Sequence, residues 1–443
     1  MKNASTHLTR NPPKLDKSIW EQYNKEFSNI SKDTWCQFKK NQATPAQFVE
    51  NLNVMLASFL ETKPEFQRIT RSFYHHDPIN EEPIEELRKR KIRINKEAKK
   101  ANATKEVKSE AKNLIRLHSH MLKVHKEKNE MALKASQDKS YRKGFWKTAK
   151  DITNGIFGNP EPSPTFDKDT ADKHYKTQYE NPSNIDIEKL DWFPNVEKPL
   201  TQYNTKPYTP KDIKRALLNK DKNSAPGYDG VVYEYLINMP ILHQILATTF
   251  TRIRDEGVAP DNWAKSKIIL IKKDLEAPDN NPSNFRMISL ALNIGKLFHT
   301  LEAERCLSFM LQNKYLDPSA QKAYVNGING CVEHVTVVNE AIQHAKLNHK
   351  TLHASWMDLK DAFGSVPHAL IPHVLSYYHV PKKIIAYITS LYSKLEGTVS
   401  TKNWESNPFR FLRGVFQGDP LSGIIFLVVF NPLIEDAPFL FEL

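Results

Sequence analysis

Residues 351–368 read TLHASWMDLKDAFGSVPH, and residues 413–423 read RGVFQGDPLSG. In the first stretch Leu352, Ala354, Trp356, Met357 and Leu359 give the signal of a buried strand, with Asp358 inside the apolar run. A carboxylate there is costly unless it is paired or binds a metal. Asp361, Phe363 and Gly364 follow in a turn, and a helix is expected from about Pro367. An ordinary capping role suits Asp361 better than Asp358. In the second stretch, glycines stand on both sides of Gln417 and let the backbone approach a ligand closely. Asp419-Pro420 reads as a helix start, and the apolar run 424–430 as a buried strand or a core helix.

Working back toward the N-terminus, residues 263–290 read WAKSKIILIKKDLEAPDNNPSNFRMISL. Two short apolar runs around a polar turn predict a β-hairpin bearing Lys272, Lys273 and Arg286. Such cations either face solvent or lie over a phosphate group, where Arg offers a bidentate contact. Residues 222–230, KNSAPGYDG, form a tight turn. Thr209, Pro210 and Asp212 supply a capping hydroxyl, a proline at the first helical position and an acid in the first turn. Helices and strands mix from there onward, so the fold class is α+β.

Charge is unevenly spread. The chain has 443 residues and a formal net charge of +12, which suits a polyanionic partner. Residues 88–150 hold 21 Lys or Arg against 6 Asp or Glu, so this one segment carries the whole basic excess. It lacks proline and is rich in helix formers, which predicts long basic helices over 81–155. These either touch phosphates, Arg88, Lys89, Arg90, Lys91 and Arg93 among them, or form a solvated charged face. Cys36, Cys306 and Cys331 form no CxxC pair, which argues against a disulfide framework or a structural zinc site. His118, His120 and His125 read as exposed helix residues. Residues 1–10 are polar and lack a signal-peptide core, and no apolar run reaches the ~20 residues of a membrane span. An intracellular location, nuclear or cytoplasmic, is expected, with no membrane partner. The expected organisation is a helical region over 1–80, a basic helical spacer over 81–158, a linker over 159–208 and an α+β unit over 209–443.

The order of these motifs resembles the reverse transcriptase of non-LTR (LINE-type) retrotransposons over residues from about 209 to 434. NFRMISL is similar to the family's N-[WY]-R-P-I-S-L, with Met287 for Pro. The segment from Gln321 is similar to Q-x-G-F, with Ala323 and Tyr324 as departures. MDLKDAFGSVPH resembles L-D-L-x-K-A-F-D-x-V, and RGVFQGDPLSG resembles R-G-V-x-Q-G-[DC]-P-L-S-P, with Gly423 for the last Pro.

The resemblance implies fingers and a partial palm after a basic helical region, with the thumb absent. It implies RNA template, DNA primer and dNTP as partners, and Mg2+ as the cofactor. Asp358 would be the catalytic magnesium ligand, beside the Leu359 carbonyl. Phe363 would read the sugar 2′ position. Asp361 and Ala362 would lie under the triphosphate, clamped by Arg286 and Lys272. Gln417 and Gly418 would line the nucleotide pocket. The family's x-D-D pair is missing, because the sequence contains no Asp-Asp dipeptide. One carboxylate does not hold two divalent cations against water. The chain is therefore expected to be a C-terminally truncated enzyme, inactive alone and open to self-association through an uncovered palm edge. The alternative is a non-catalytic RNA- or DNA-binding protein.

Overall fold

A computed structural model of the chain describes residues 15–66, 92–94, 96–98, 104, 107–109, 111, 164–183, 185–190, 196–222, 224–274, 277–325, 330–354, 356, 358–401 and 403–435. Arg88, Lys89, Arg90, Lys91, the histidines at 118, 120 and 125, and Met357 lie outside the described residues. The chain divides into two compact units, 1–69 with 164–443, and 70–163. In the second unit, residues 92–94, 96–98 and 107–109 are helical, Arg93 is exposed, and Ile94 packs with Ala111.

The first unit begins with α1 (Lys17–Lys39) and α2 (Pro45–Glu61). Thr44 and Gln47 close a capping box at the start of α2, so the entry to that helix is locally encoded. The aromatic residues of this region form a core. Phe38 stacks on Phe48 at 4.1 Å between ring centroids, and Phe27 and Leu56 are wholly buried. After α3 (Lys168–Tyr179) come α4 (Pro210–Leu218), α5 (Tyr233–Asn238) and α6 (Pro240–Glu256). The first helix pair packs on α6. Arg252 donates to the Phe38 carbonyl at 2.7 Å and lies over the Phe38 ring, and Asn53 donates to Asp229 at 2.9 Å. The scattered aromatics before residue 67 thus share one core with the elements after residue 164.

At α4 the expected start is present. The Thr209 hydroxyl accepts from Asp212 N, and Asp212 accepts from Thr209 N. Thr209→Ala is expected to destabilise the chain by about 1 kcal/mol, read as a shift in urea midpoint at unchanged slope. An unchanged midpoint would show that packing alone holds this helix.

The hairpin is also present. β1 (Lys265–Lys272) pairs antiparallel with β2 (Phe285–Leu290), with Ile271 opposite Arg286. After α7 (Asn293–Gln312), α8 (Gly330–Leu347), α9 (Ala362–Ser365), α10 (Leu370–Tyr377) and α11 (Lys382–Tyr392), the chain returns to the sheet. β3 (Glu396–Val399) runs parallel to β1, and β4 (Phe409–Arg410) runs antiparallel to β3, giving the order β2-β1-β3-β4. Gly397 is required where β3 meets Ile268, since a Cβ there would lie 2.4 Å from the Ile268 Cδ1.

α7 is buried nearly all round, as expected of a helix enclosed by others. It packs against α4 and the last described helix, α12 (Pro420–Glu435). The run 424–430 is therefore a core helix rather than a strand. Among the described residues no helix is long and apolar enough to cross a membrane.

One expectation is overturned. The described residues of 351–360 form no strand, and Asp358 is exposed together with Leu352, Trp356 (75% exposed) and Leu359. An extended segment is stable only when a neighbour takes up its backbone donors and acceptors. Among the described residues no strand pairs with this one. The alternation of apolar side chains indicates strand propensity, not a partner.

Candidate functional site

The turn after Asp358 is tied to the loop before α12 by a run of backbone bonds. Val415 N donates to the Phe363 carbonyl at 2.8 Å, and Gly414 N to the Val366 carbonyl at 2.7 Å. Pro367 and Arg413 form an antiparallel bridge. His368 donates through Nε2 to the Gly414 carbonyl at 2.7 Å. Gly414 has φ +84°, and a Cβ on it would lie 2.9 Å from the Cα of Gly364. The two loops touch backbone to backbone, which only glycine allows here. Phe363 stacks on Phe426 of α12 at 5.0 Å.

The same loop reaches the hairpin. Ser289 N on β2 donates to the Gln417 carbonyl at 2.7 Å. Gly418, at φ +115°, lies where a Cβ would be 3.0 Å from the Ser289 carbonyl oxygen. The segments carrying Arg286, Ala362 and Phe363, and Gln417 and Gly418 are thereby joined. Arg286 is exposed on β2, and Gln417 is half-buried. Lys272 is different: its side chain is 7% exposed and its Nζ lies 2.6 Å from Asp279. The carboxylate of Asp358 has no hydrogen-bond or ion-pair partner among the described residues, and nothing brings it to the joined segments.

Beneath the loop lies a buried polar group that the sequence reading missed. Asp419 caps α12 by accepting from Leu421 N at 2.9 Å and Ser422 N at 3.3 Å. Its other oxygen meets His299 Nδ1 at 2.5 Å, and His299 Nε2 meets the Tyr387 hydroxyl at 2.8 Å. Burial alone would raise the Asp419 carboxyl, but the charge and hydrogen bond of His299, with the two amides, hold it below its ordinary range. Lys296, one turn before Thr300 on α7, is pushed down to about 8 by burial, against the pull of Asp419. The Asp-Pro signal was legible in the sequence. Its partner His299, 120 residues away, carried no signal.

Two departures from the expected motifs meet in space. A Cβ on Gly423 would lie 2.4 Å from the Tyr324 ring. The glycine at 423 and the tyrosine at 324 therefore fit each other.

Residues 271–439 match the sequence family described as reverse transcriptase (RNA-dependent DNA polymerase). They are a reverse transcriptase domain of the non-LTR retrotransposon type. Over 216 residues the chain is 27% identical to the Retrovirus-related Pol polyprotein from type-2 retrotransposable element R2DM of Drosophila melanogaster, covering 49% of this chain and 20% of that protein. It is 27% identical over 217 residues to the Retrovirus-related Pol polyprotein from type-1 retrotransposable element R2 of Nasonia vitripennis, with 49% and 20% covered. The Transposon TX1 uncharacterized 149 kDa protein of Xenopus laevis matches at 24% identity over 288 residues, with 62% and 21% covered. The chain thus spans about a fifth of the length of these relatives.

The reverse transcriptase family uses divalent metal ions. The described residues of this domain do not fit such an ion, because no three His, Cys, Asp or Glu side chains gather to hold one. Asp358 offers a single exposed carboxylate, whereas hard divalent cations need several oxygen ligands.

Proposed function

We propose that this chain forms the fingers and the first part of the palm of an RNA-templated DNA polymerase, engaging an RNA template, a DNA primer and a dNTP. The observation that carries the reading is the joining of three separate motif segments, 286–289, 361–368 and 413–418, by backbone hydrogen bonds. Arg286 is the exposed cation on this surface and takes the phosphate contact. Lys272 contributes only by leaving Asp279. Phe363, fixed against Phe426, suits a steric boundary at the sugar 2′ position. Ala362, Gln417 and Gly418 complete the pocket wall, and Asp358 is the acid that the family's chemistry requires.

These 443 residues are expected to lack polymerase activity of their own, since they hold no Asp-Asp pair. Self-association belongs to the same proposal. It would be carried by the exposed side chains of Leu352, Trp356 and Leu359 rather than by a strand edge. Primer extension on a homopolymer RNA template with magnesium, using wild type and Asp358→Ala, tests the reading. The expected result is no synthesis by either chain, while both bind the primer–template. DNA synthesis that depends on Asp358 would refute the inactivity, and absence of binding would refute the nucleic-acid reading.

A second reading, a non-catalytic RNA- or DNA-binding protein, is favoured by the charge of residues 88–150. Binding that falls steeply with salt and is unaffected by dNTP would support it over the first.

A further inference from the structure

Asp361 has a left-handed backbone, φ 51° and ψ 52°, which folds its carboxylate back over the turn. The carboxyl fills the space a side chain at position 364 would need. A Cβ on Gly364 would lie 2.1 Å from Asp361 Oδ2, 2.6 Å from Cγ and 2.8 Å from Oδ1, and these are its three nearest atoms. The motif that this turn resembles has Lys at position 361 and Asp at position 364. Here the two positions differ together, and the space of one is filled by the other. The chain keeps one carboxylate in this corner but delivers it from three residues earlier.

That carboxylate has partners far away in sequence. Oδ2 accepts from Gln178 Nε2 at 2.5 Å, a bond spanning 183 residues, and the Tyr179 hydroxyl lies 3.5 Å away. Both donors sit at the C-terminal end of α3. The same end of α3 is fixed to the 413–423 side of the site. Arg413 Nε donates to the Gln178 carbonyl at 2.8 Å, and Leu412 N to the Tyr179 carbonyl at 2.9 Å. Nearer its start, Asp172 accepts from the backbone and side-chain amides of Asn407 at 2.9 and 2.7 Å.

We infer that residues 361 and 364 are one compensated exchange, and that the carboxylate they share latches α3 onto the 361–368 turn. Gln178 and Tyr179 are then positioning residues for the nucleotide site, holding the turn that presents Ala362 and Phe363. The latch stands on geometry alone; only the positioning role rests on the nucleotide reading above. A carboxylate at both positions would crowd two like charges within van der Waals distance. A carboxylate at neither would leave the Gln178 amide without its acceptor.

Hydrogen exchange over residues 168–179 of the full chain tests the latch. Asp361→Ala, Gln178→Ala and Gly364→Asp are each expected to speed exchange about two- to fivefold, the scale of one solvent-exposed charge-assisted bond. The double variant D361A/G364D is expected to return exchange to near the wild-type rate. Additive effects in the double variant, or no effect of Asp361→Ala and Gln178→Ala, overturn the latch. Gln178→Ala removes only side-chain atoms at a helical position and leaves the left-handed backbone at 361 untouched, so it decides the question even if Gly364→Asp alone fails to fold.

The positioning role is read from protection of residues 361–364 by dTTP with magnesium. Protection in wild type that weakens in Gln178→Ala and returns in D361A/G364D is the expected result. Equal protection in wild type and Gln178→Ala overturns the positioning role. Protection in neither overturns the nucleotide reading and, with it, that role, while exchange over 168–179 still decides the latch.

Discussion

Replacing Asp419 with alanine is expected to destabilise the chain by about 3 kcal/mol, the combined scale of a lost hydrogen bond to a buried carboxylate and a lost helix cap. His299 would lose the charge it faces, with both side chains at most 5% exposed in the intact pair. The first turn of α12 would lose its cap, and Lys296 would keep its burial without the opposing pull of Asp419. Because the folded Asp419 carboxyl sits below its ordinary range, the pair contributes stability above the unfolded carboxylate pKa of about 3.9. That contribution is lost as pH falls through the lower, folded value. Urea unfolding should therefore show a large loss near neutral pH and a shallower acid limb in Asp419→Ala than in wild type. Parallel acid limbs in the two chains would mean that the carboxylate is not held as the structure places it.

The second large effect is expected at Phe48. Phe48→Ala removes a ring that is 1% exposed and stacked on Phe38, for a loss of about 3–5 kcal/mol. The location of the damage is the informative part. Phe38 is bound to Arg252 of α6 by a hydrogen bond and a ring contact. Amide exchange in 240–256 should accelerate together with that in 17–61. If only 17–61 loses protection, the first two helices are a separable hairpin rather than part of the larger core.

What was legible in the sequence was what local chemistry decides. Thr209-Pro210, the 265–290 hairpin and Asp419-Pro420 each announce themselves within a few residues, because caps and turns are short-range devices. Strand formation at 352–359 was misread because pairing is not local: the alternation is present, and the partner is absent among the described residues. The aromatics of 15–66 read as scattered because their partners, such as Tyr235 and Arg252, come more than 150 residues later. Asp361 was read as a group beneath a phosphate or as a helix cap. Its reach to Gln178 depends on a left-handed backbone and on a glycine three residues on, which no periodic pattern encodes.

The docking of the first helix pair also bears on how the protein is made. Asn53 meets Asp229 across 176 residues, and Asn24 caps the start of α6 across 217. At ~5–20 residues per second, a ribosome needs roughly ten to forty seconds to deliver those partners. For most of that interval Phe38 and Phe48 have left the exit tunnel while the α6 surface on which their helices pack is still unmade. The nascent chain therefore carries an aromatic face that has to be shielded while it waits. The yield of folded protein should rise when translation is fast or when a holding chaperone is abundant.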